Sequence, residues 1–221
     1  YKFNVPLVMY GESNAENGDP IEETKIPTMD KKFFLEQDHS KIKLAGKTIE
    51  EIIKKEKFRL NDFTPYIPSD EKDMKKNNTQ VHHLGYYLKW NAQENFYYSS
   101  TNTGFLTNDQ RTEGSYSKYS SFDDKVDSFH WYTYFIKFGI GRATHDACQE
   151  IRHGTISRDE AVKLVNKFDH EFPQRYFRDF LDYINISEKE FWETIDKFRS
   201  PHLWERKNNE WILKATVKNL I

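Results

Sequence analysis

"VPLVMYGES", residues 5–13, decides the fold class. Val5, Leu7, Val8 and Met9 make a short apolar run that ends at Gly11, as a buried strand of an α/β sheet does. Such a strand needs neighbours on both sides, and the rest of the sequence hardly supplies them. The expectation is therefore a remnant of an α/β domain, with Tyr1 already inside it and further strands upstream. Gly11, Glu12 and Ser13 would sit at the carboxyl end of that strand, where α/β sheets place ligands. This makes Glu12 a candidate for a ribose or sugar hydroxyl, although loops also begin at strand ends.

Outward from that strand, residues 12–46 are rich in breakers (Gly18, Pro20, Pro27), with one helix expected around residues 29–37. "KTIEEIIKKEKF" (47–58) predicts a helix opened by the capping-box pair Thr48 and Glu51. "PSDEKDMKKNNTQ" (68–80) reads as a polar surface loop, "VHHLGYYLKW" (81–90) as a strand and "AQENFYYSS" (92–100) as a short helix. From Ser121 the pattern turns helical. Phe122, Val126, Phe129, Thr133 and Ile136 recur at steps of three and four, defining a buried stripe. Further helices are marked by Gly154 as a C-terminal cap, by Ser157 with Glu160, by Pro173 at a first helical position, and by Ser187 with Glu190. Residues 200–217 read as an extended tail anchored by Trp204 and Trp211. The chain thus divides into 1–120, an α/β nucleotide-binding remnant with a loop-rich insert, and 121–221, a mostly α-helical half.

Composition narrows the function. The mean hydropathy of −0.89 is offset by an aromatic fraction of 16%, with 17 Phe, 13 Tyr and 5 Trp, so a few large side chains can build a core. The 33 basic and 35 acidic residues nearly cancel and form no long block of one sign, which argues against nucleic-acid binding or a membrane-binding patch. No apolar run is long enough to span a bilayer, so no membrane insertion is expected. Cys148 is the single cysteine; it can form neither an internal disulfide nor a cysteine-based zinc site, in keeping with a cytoplasmic setting.

"RTEGSYSKYSSFDDKVD" (111–127) has scarcely an aliphatic side chain to bury. It carries Arg111, Glu113, Ser115, Lys118, Asp123, Asp124 and Lys125 around Gly114, and is either a solvated loop or a surface that holds a polar ligand. On a helix from Ser121, residues Asp123, Asp127, His130, Tyr134 and Lys137 would share one face, either a ligand-facing row near a nucleotide-borne Mg²⁺ or an ordinary solvated face. In "KFGIGRATHD" (137–146), Gly139 and Gly141 lie between Lys137 and Arg142 just ahead of a helix. Bare backbone N–H groups and two cations could approach a phosphate there, or the glycines could simply make a tight turn. His82 and His83 are adjacent, point to opposite faces of a strand and read as structural. Cys148 reads as a small packed thiol. No metal site is assigned.

"LGYYLKW" (84–90), "NTGF" (102–105), the 111–127 stretch, "FIKFGIGRATHDACQEIRHG" (135–154), "FDHEFPQRYFRDFLDYI" (168–184) and "FWETIDKFRSPHLW" (191–204) resemble, in order, successive blocks of the N-acetyl sugar amidotransferases. That family serves bacterial surface-polysaccharide and nonulosonic-acid (pseudaminic or legionaminic acid) pathways. The resemblance implies the C-terminal portion of a PP-loop, adenine nucleotide alpha hydrolase-like enzyme. It implies ATP, with Mg²⁺, as cofactor and a free or nucleotide-activated N-acetyl sugar as substrate. An acetamido group would become an acetamidino group through an adenylylated intermediate, with ammonia from a HisH/HisF-like glutaminase subunit. The S-G-G-x-D-S nucleotide loop and the family's N-terminal cysteines are not in this sequence, so the segment alone is expected to be inactive. Ser13 also departs from the Asn expected there.

On this resemblance Lys118, Asp123 and Asp124 become candidate catalytic residues, and Glu12, Arg111, Glu113, Ser115 and Lys125 candidate substrate contacts. Lys137, Gly139, Gly141 and Arg142 would face pyrophosphate. The competing classes are a helical module that docks the glutaminase and a carbohydrate-binding domain without catalysis. Rescue by free ammonium separates the first of these from an enzyme part.

Overall fold

In the computed structural model the described residues are 3–11, 22, 25–29, 38, 40–68, 71–121 and 123–217. The chain is mixed α/β and divides into two compact units, Tyr1–Trp90 and Asn91–Ile221. Glu12, Ser13, Phe122 and all but Met29 of the helix expected at 29–37 lie outside the described residues.

In the first unit, β1 (Leu7–Tyr10) is followed by the short antiparallel pair β2 (Lys43–Leu44) and β3 (Lys47–Thr48). Helix α1 (Ile49–Lys55) then opens with the expected capping box, Thr48 and Glu51 each taking the other's backbone N–H. A 3₁₀ helix (Leu60–Tyr66) and α2 (Glu71–Lys76) lead to β4 (Gln80–His83). The pair β1 and β4 is parallel, with Leu7 opposite Gln80 and Tyr10 opposite His83. The strand is where the sequence places it, but it is not buried: Leu7 is 44% and Val8 37% exposed. Among the described residues its one strand partner is β4, whose other edge is bridged by Thr28 to His82. Two strands cannot cover both faces of a parallel pair.

The strand expected over 81–90 ends at His83 and passes into α3 (Leu84–Tyr87). That turn brings Tyr87 back over His82, ring on ring at 5.8 Å and 9°, with the tyrosine hydroxyl on Nδ1 and Gln80 on Nε2. His82 is thereby a structural residue.

In the second unit, α4 (Ala92–Asn102) is capped by Asn91, whose Oδ1 accepts from Gln93 and Glu94 N–H. Helix α5 (Asp127–Phe138) begins well after Ser121, contrary to the sequence expectation. Ser121 adopts a left-handed φ of 55°, and Asp124 accepts from Val126 N–H at 2.6 Å, a local bond that competes with helix formation. Asp123 therefore does not share the helical face of Asp127, His130, Tyr134 and Lys137.

Helix α6 (Arg142–His153) ends at Gly154 with φ 75°, and α7 (Arg158–Phe168) opens with the Ser157 and Glu160 box. Helix α8 (Phe177–Ile184) starts four residues after Pro173, which is buried in the preceding segment instead of occupying a first helical position. The N–H groups of Gln174 and Arg175 are held there by the Glu113 carboxylate. Helix α9 (Glu188–Phe198) opens with the Ser187 and Glu190 box. The expected extended tail is an antiparallel hairpin, β5 (Trp204–Lys207) with β6 (Glu210–Leu213). Its turn residues Asn208 and Asn209 have φ 49° and 67°, the two positive values a tight hairpin turn needs, and asparagine tolerates them.

Phe129, Phe135 and Ile136 of α5 pack with Phe177 and Leu181 of α8, Phe191 and Ile195 of α9, and Trp204. Phe129 stacks on Phe180 at 4.2 Å and 7°. Trp204 donates its indole N–H to the Ile136 carbonyl at 2.7 Å, tying the hairpin to α5. A second cluster joins α6 to α7 through Ala147, Ala161 and Val165. Ala147 takes the inward position there, which leaves the neighbouring Cys148 exposed and not the packed thiol expected. Among the described residues no helix is long and apolar enough to cross a membrane.

Candidate functional site

The 111–127 stretch is neither a free loop nor an open surface. Residues 112–117 form a tight elbow: Thr112 N–H donates to the Ser117 carbonyl at 2.8 Å, Ser115 N–H to the Thr112 carbonyl at 3.1 Å, and Gly114 turns the chain with φ 82°. Thr112, Ser115 and Ser117 are buried although polar, so each hydroxyl must find a partner. Thr112 donates to the Ser120 carbonyl, Ser117 meets Ser120, and Ser115 donates to Asp146 of α6.

The elbow docks on two neighbours. Ala143 N–H, in the first turn of α6, donates to the Gly114 carbonyl at 3.0 Å. Arg111 grips Glu171 with both arms of its guanidinium, one at 2.6 Å, gives another bond to the Ser115 carbonyl at 2.9 Å, and lies 4.5 Å over Phe168. Glu171 also accepts Gly114 N–H at 2.8 Å. Arg142 donates to Asp146 at 3.0 Å and to Asp127 at 3.4 Å and lies 4.9 Å over Trp131. The elbow and the first turn of α6 thus lie against each other through their own hydrogen bonds.

The two glycines have close packing reasons. A Cβ on Gly141 would come within 2.8 Å of the Asp169 carbonyl, and one on Gly139, at φ 76°, within 3.2 Å of Leu213. The anion at the start of α6 is the protein's own: Asp169 accepts from Gly141 N–H, Thr144 N–H and Thr144 Oγ1, each at 2.8 Å. A phosphate at Gly141 would have to displace it, while Gly139 N–H donates to the Phe135 carbonyl and Arg142 pairs with Asp146 and Asp127. Lys137 lies over the rings of Phe138 and Phe198. Lys118 is exposed and donates to the Asp109 carbonyl at 2.9 Å. Lys125 pairs with Asp179 at 2.6 Å.

What remains open to a ligand is a polar cleft of about 60 Å³ beside the elbow. Arg111, Glu113, Asp124 and Lys125 line it, together with Ser121, Ser128 and Arg175. That volume holds a few waters or one small polar group. Ser121 keeps its strained φ of 55° at the rim, with its hydroxyl sealed and without a hydrogen-bond partner among the described residues, and such strain concentrates where backbone is held for a purpose. Arg175 has no carboxylate partner among the described residues; its guanidinium lies 5.4 Å over Tyr176. Neither Arg175 nor Ser121 stood out in the sequence, and only the fold brings them to the elbow. Asp146 was legible in hindsight, four residues beyond Arg142 on one helix face. Among the described residues no group of three His, Cys, Asp or Glu could hold a metal ion.

Burial and pairing pull the carboxylates in different directions. Arg111's hydrogen bonds hold Glu171 below the usual carboxylate range. Burial pushes Asp146 up, but the bonds from His145 and Ser115 and the Arg142 charge outweigh it and leave it low. Burial raises Glu150 and Asp169, and it pushes the Tyr119 hydroxyl up to about 12. Depressed groups stabilise the fold above their unfolded pKa and lose that contribution as pH falls through the folded value. Raised groups do the reverse, so Asp169 disfavours neutral pH slightly. Stability should therefore fall in acid over roughly pH 5 to 3 as Glu171 and Asp146 are protonated. Urea midpoints measured against pH should show a shallower acid slope for Glu171→Gln than for the parent. Equal slopes would remove Glu171 from the account.

Comparison with known proteins adds a family to this geometry. A search of curated proteins gives no match. Residues 113–218 match the family model described as LPS biosynthesis protein WbpG-like, C-terminal domain. The match begins inside the elbow, two residues after Arg111, and runs through α5 to α9 and the hairpin. Over residues 113–218 the chain is therefore similar to the WbpG-like C-terminal domain of LPS biosynthesis proteins.

Proposed function

We propose that this chain supplies the substrate-binding half of an ATP-dependent amidotransferase that turns the acetamido group of an N-acetyl sugar into an acetamidino group. The observation that carries the reading is the coincidence of the LPS biosynthesis family match with a polar elbow docked on α6 and lined by cations. An amide oxygen is a poor leaving group. In the proposed reaction it attacks the α-phosphorus of ATP and releases pyrophosphate. Ammonia then adds to the activated carbon, AMP departs with the former amide oxygen, and loss of a proton leaves the amidine. Arg111, Lys125 and Arg175 would favour the anionic or hydroxyl-rich parts of the sugar, and the elbow's internal bonds would hold them in place before substrate arrives.

The exposed β1 and β4 pair supports a further part of the reading. A parallel pair with Leu7 and Val8 outward fits a sheet completed by the strands of a PP-loop nucleotide-binding fold. Mg²⁺ would arrive with the nucleotide's phosphates, and a glutaminase subunit would supply ammonia. The test combines this chain with its proposed nucleotide-binding part and supplies ATP, an N-acetyl sugar and an ammonium salt. AMP should form together with a sugar lighter by the difference between O and NH. AMP release without the amidine, or no sugar-dependent AMP at all, would refute the activity.

A further inference from the structure

A second cavity lies on the far side of the glycine turn and of Asp169, away from the cleft beside the elbow. It has a volume of about 520 Å³ and lies between α5, the end of α7 and the β5–β6 hairpin. That is ligand-sized, since packing faults in protein interiors seldom exceed a water molecule. Its walls are chiefly Phe135, Ile136, Val165, Trp204, Trp211 and Leu213. We infer that this cavity binds a small amphiphilic anion, an apolar body carrying one carboxylate or phosphate, with Arg199 receiving the charged end.

Arg199 sets the polarity. Its side chain is 10% exposed, with the guanidinium 5.3 Å from the Trp204 ring and 5.5 Å from that of Trp211. Nη1 reaches Asp196, whose side chain is 51% exposed and also accepts the Trp211 indole N–H at 3.0 Å. Nε is sealed without an acceptor among the described residues, and besides Asp196 the fork reaches the Tyr132 hydroxyl in the cavity wall. A guanidinium has five donors, and leaving several unused inside an apolar wall is costly. An incoming oxyanion can take the donors on the cavity side, while the indoles flank its apolar body. The opposite wall carries a carboxylate whose oxygens face away to their own donors. Asp169 spends both carboxylate oxygens on Gly141 and Thr144 and has no need of a cation from the cavity. The hairpin forms one wall, so the site exists only when β5 and β6 are docked.

The full 221-residue chain can be titrated with 8-anilinonaphthalene-1-sulfonate, an anionic amphiphile that fluoresces in apolar cavities, and then challenged with competitors. Decanoate or decyl phosphate should displace the dye, and the stronger of the two identifies the head group. Decanol and decylamine should displace it at least about tenfold less well, the loss expected for one charge-assisted hydrogen bond. Arg199→Met should abolish the preference for anions, and Arg199→Lys should retain part of it. Should Arg199→Met fail to fold, Ala215→Trp, which fills the cavity from its exposed rim, should lower dye binding while leaving the thermal midpoint in place. Equal displacement by all four competitors, or dye binding unchanged in Ala215→Trp, would overturn the inference.

Discussion

Replacing Asp169 by alanine is expected to lower the stability of the second unit by about 3 kcal/mol. The side chain is nearly buried and accepts three hydrogen bonds at 2.8 Å, two from backbone N–H groups at the start of α6 and one from Thr144 Oγ1. Without it, Gly141 N–H, already buried, has no acceptor, and water must enter or the turn must open. Some of the loss is offset, because burial already disfavours the Asp169 charge. Asparagine should recover only part of the stability: its single oxygen can serve Thr144, but its amide would then face the Gly141 donor. Urea denaturation of the three proteins decides the matter. A loss below about 0.5 kcal/mol for Asp169→Ala would mean that α6 needs no cap from the end of α7.

Arg111→Ala should be the most damaging single change for turnover, by about 100-fold in the complete enzyme of the proposed reaction. The expectation follows from what Arg111 holds. It fixes Glu171, which fixes Gly114 N–H, and it binds the Ser115 carbonyl directly, so its loss loosens the elbow from the segment after α7 and leaves it held only on α6. Arg111→Lys should not rescue the activity, because an ammonium cannot bridge both carboxylate oxygens with the planar geometry of a guanidinium. Added ammonium salt should leave the defect in place. Restoration by ammonium would instead assign the elbow to docking of the glutaminase. Wild-type turnover in Arg111→Ala would detach the elbow from catalysis altogether. The expected thermal midpoint is only modestly lower, since the Arg111 and Glu171 side chains remain partly solvated.

Much of the second unit was legible in sequence because its signals are local. Ser157 with Glu160 and Ser187 with Glu190 form the boxes expected of them, and Gly154 ends α6. Phe129 and Ile136 lie inward as their spacing requires. Each of these outcomes depends on residues three or four apart, within reach of one helical turn. The failures share a cause as well. Helix α5 starts late because Ser121 and Asp124 commit the chain to a turn. Pro173 is not a helix start because Glu113, distant in sequence, claims the N–H groups that follow it. The tail folds back on itself because two asparagines accept positive φ values.

For the candidate site, sequence alone established that residues 111–127 are polar and poor in aliphatic side chains and that Gly139 and Gly141 mark a tight passage. It could not say what those groups would face. The tertiary structure decided that Arg111 meets Glu171, that Ser115 meets Asp146, and that Asp169 occupies the helix start offered to a phosphate. The reason is one of range: hydrophobic period and capping act between near neighbours along the chain, whereas the partner of a buried charge is whichever group the packing of α5 to α9 carries to it.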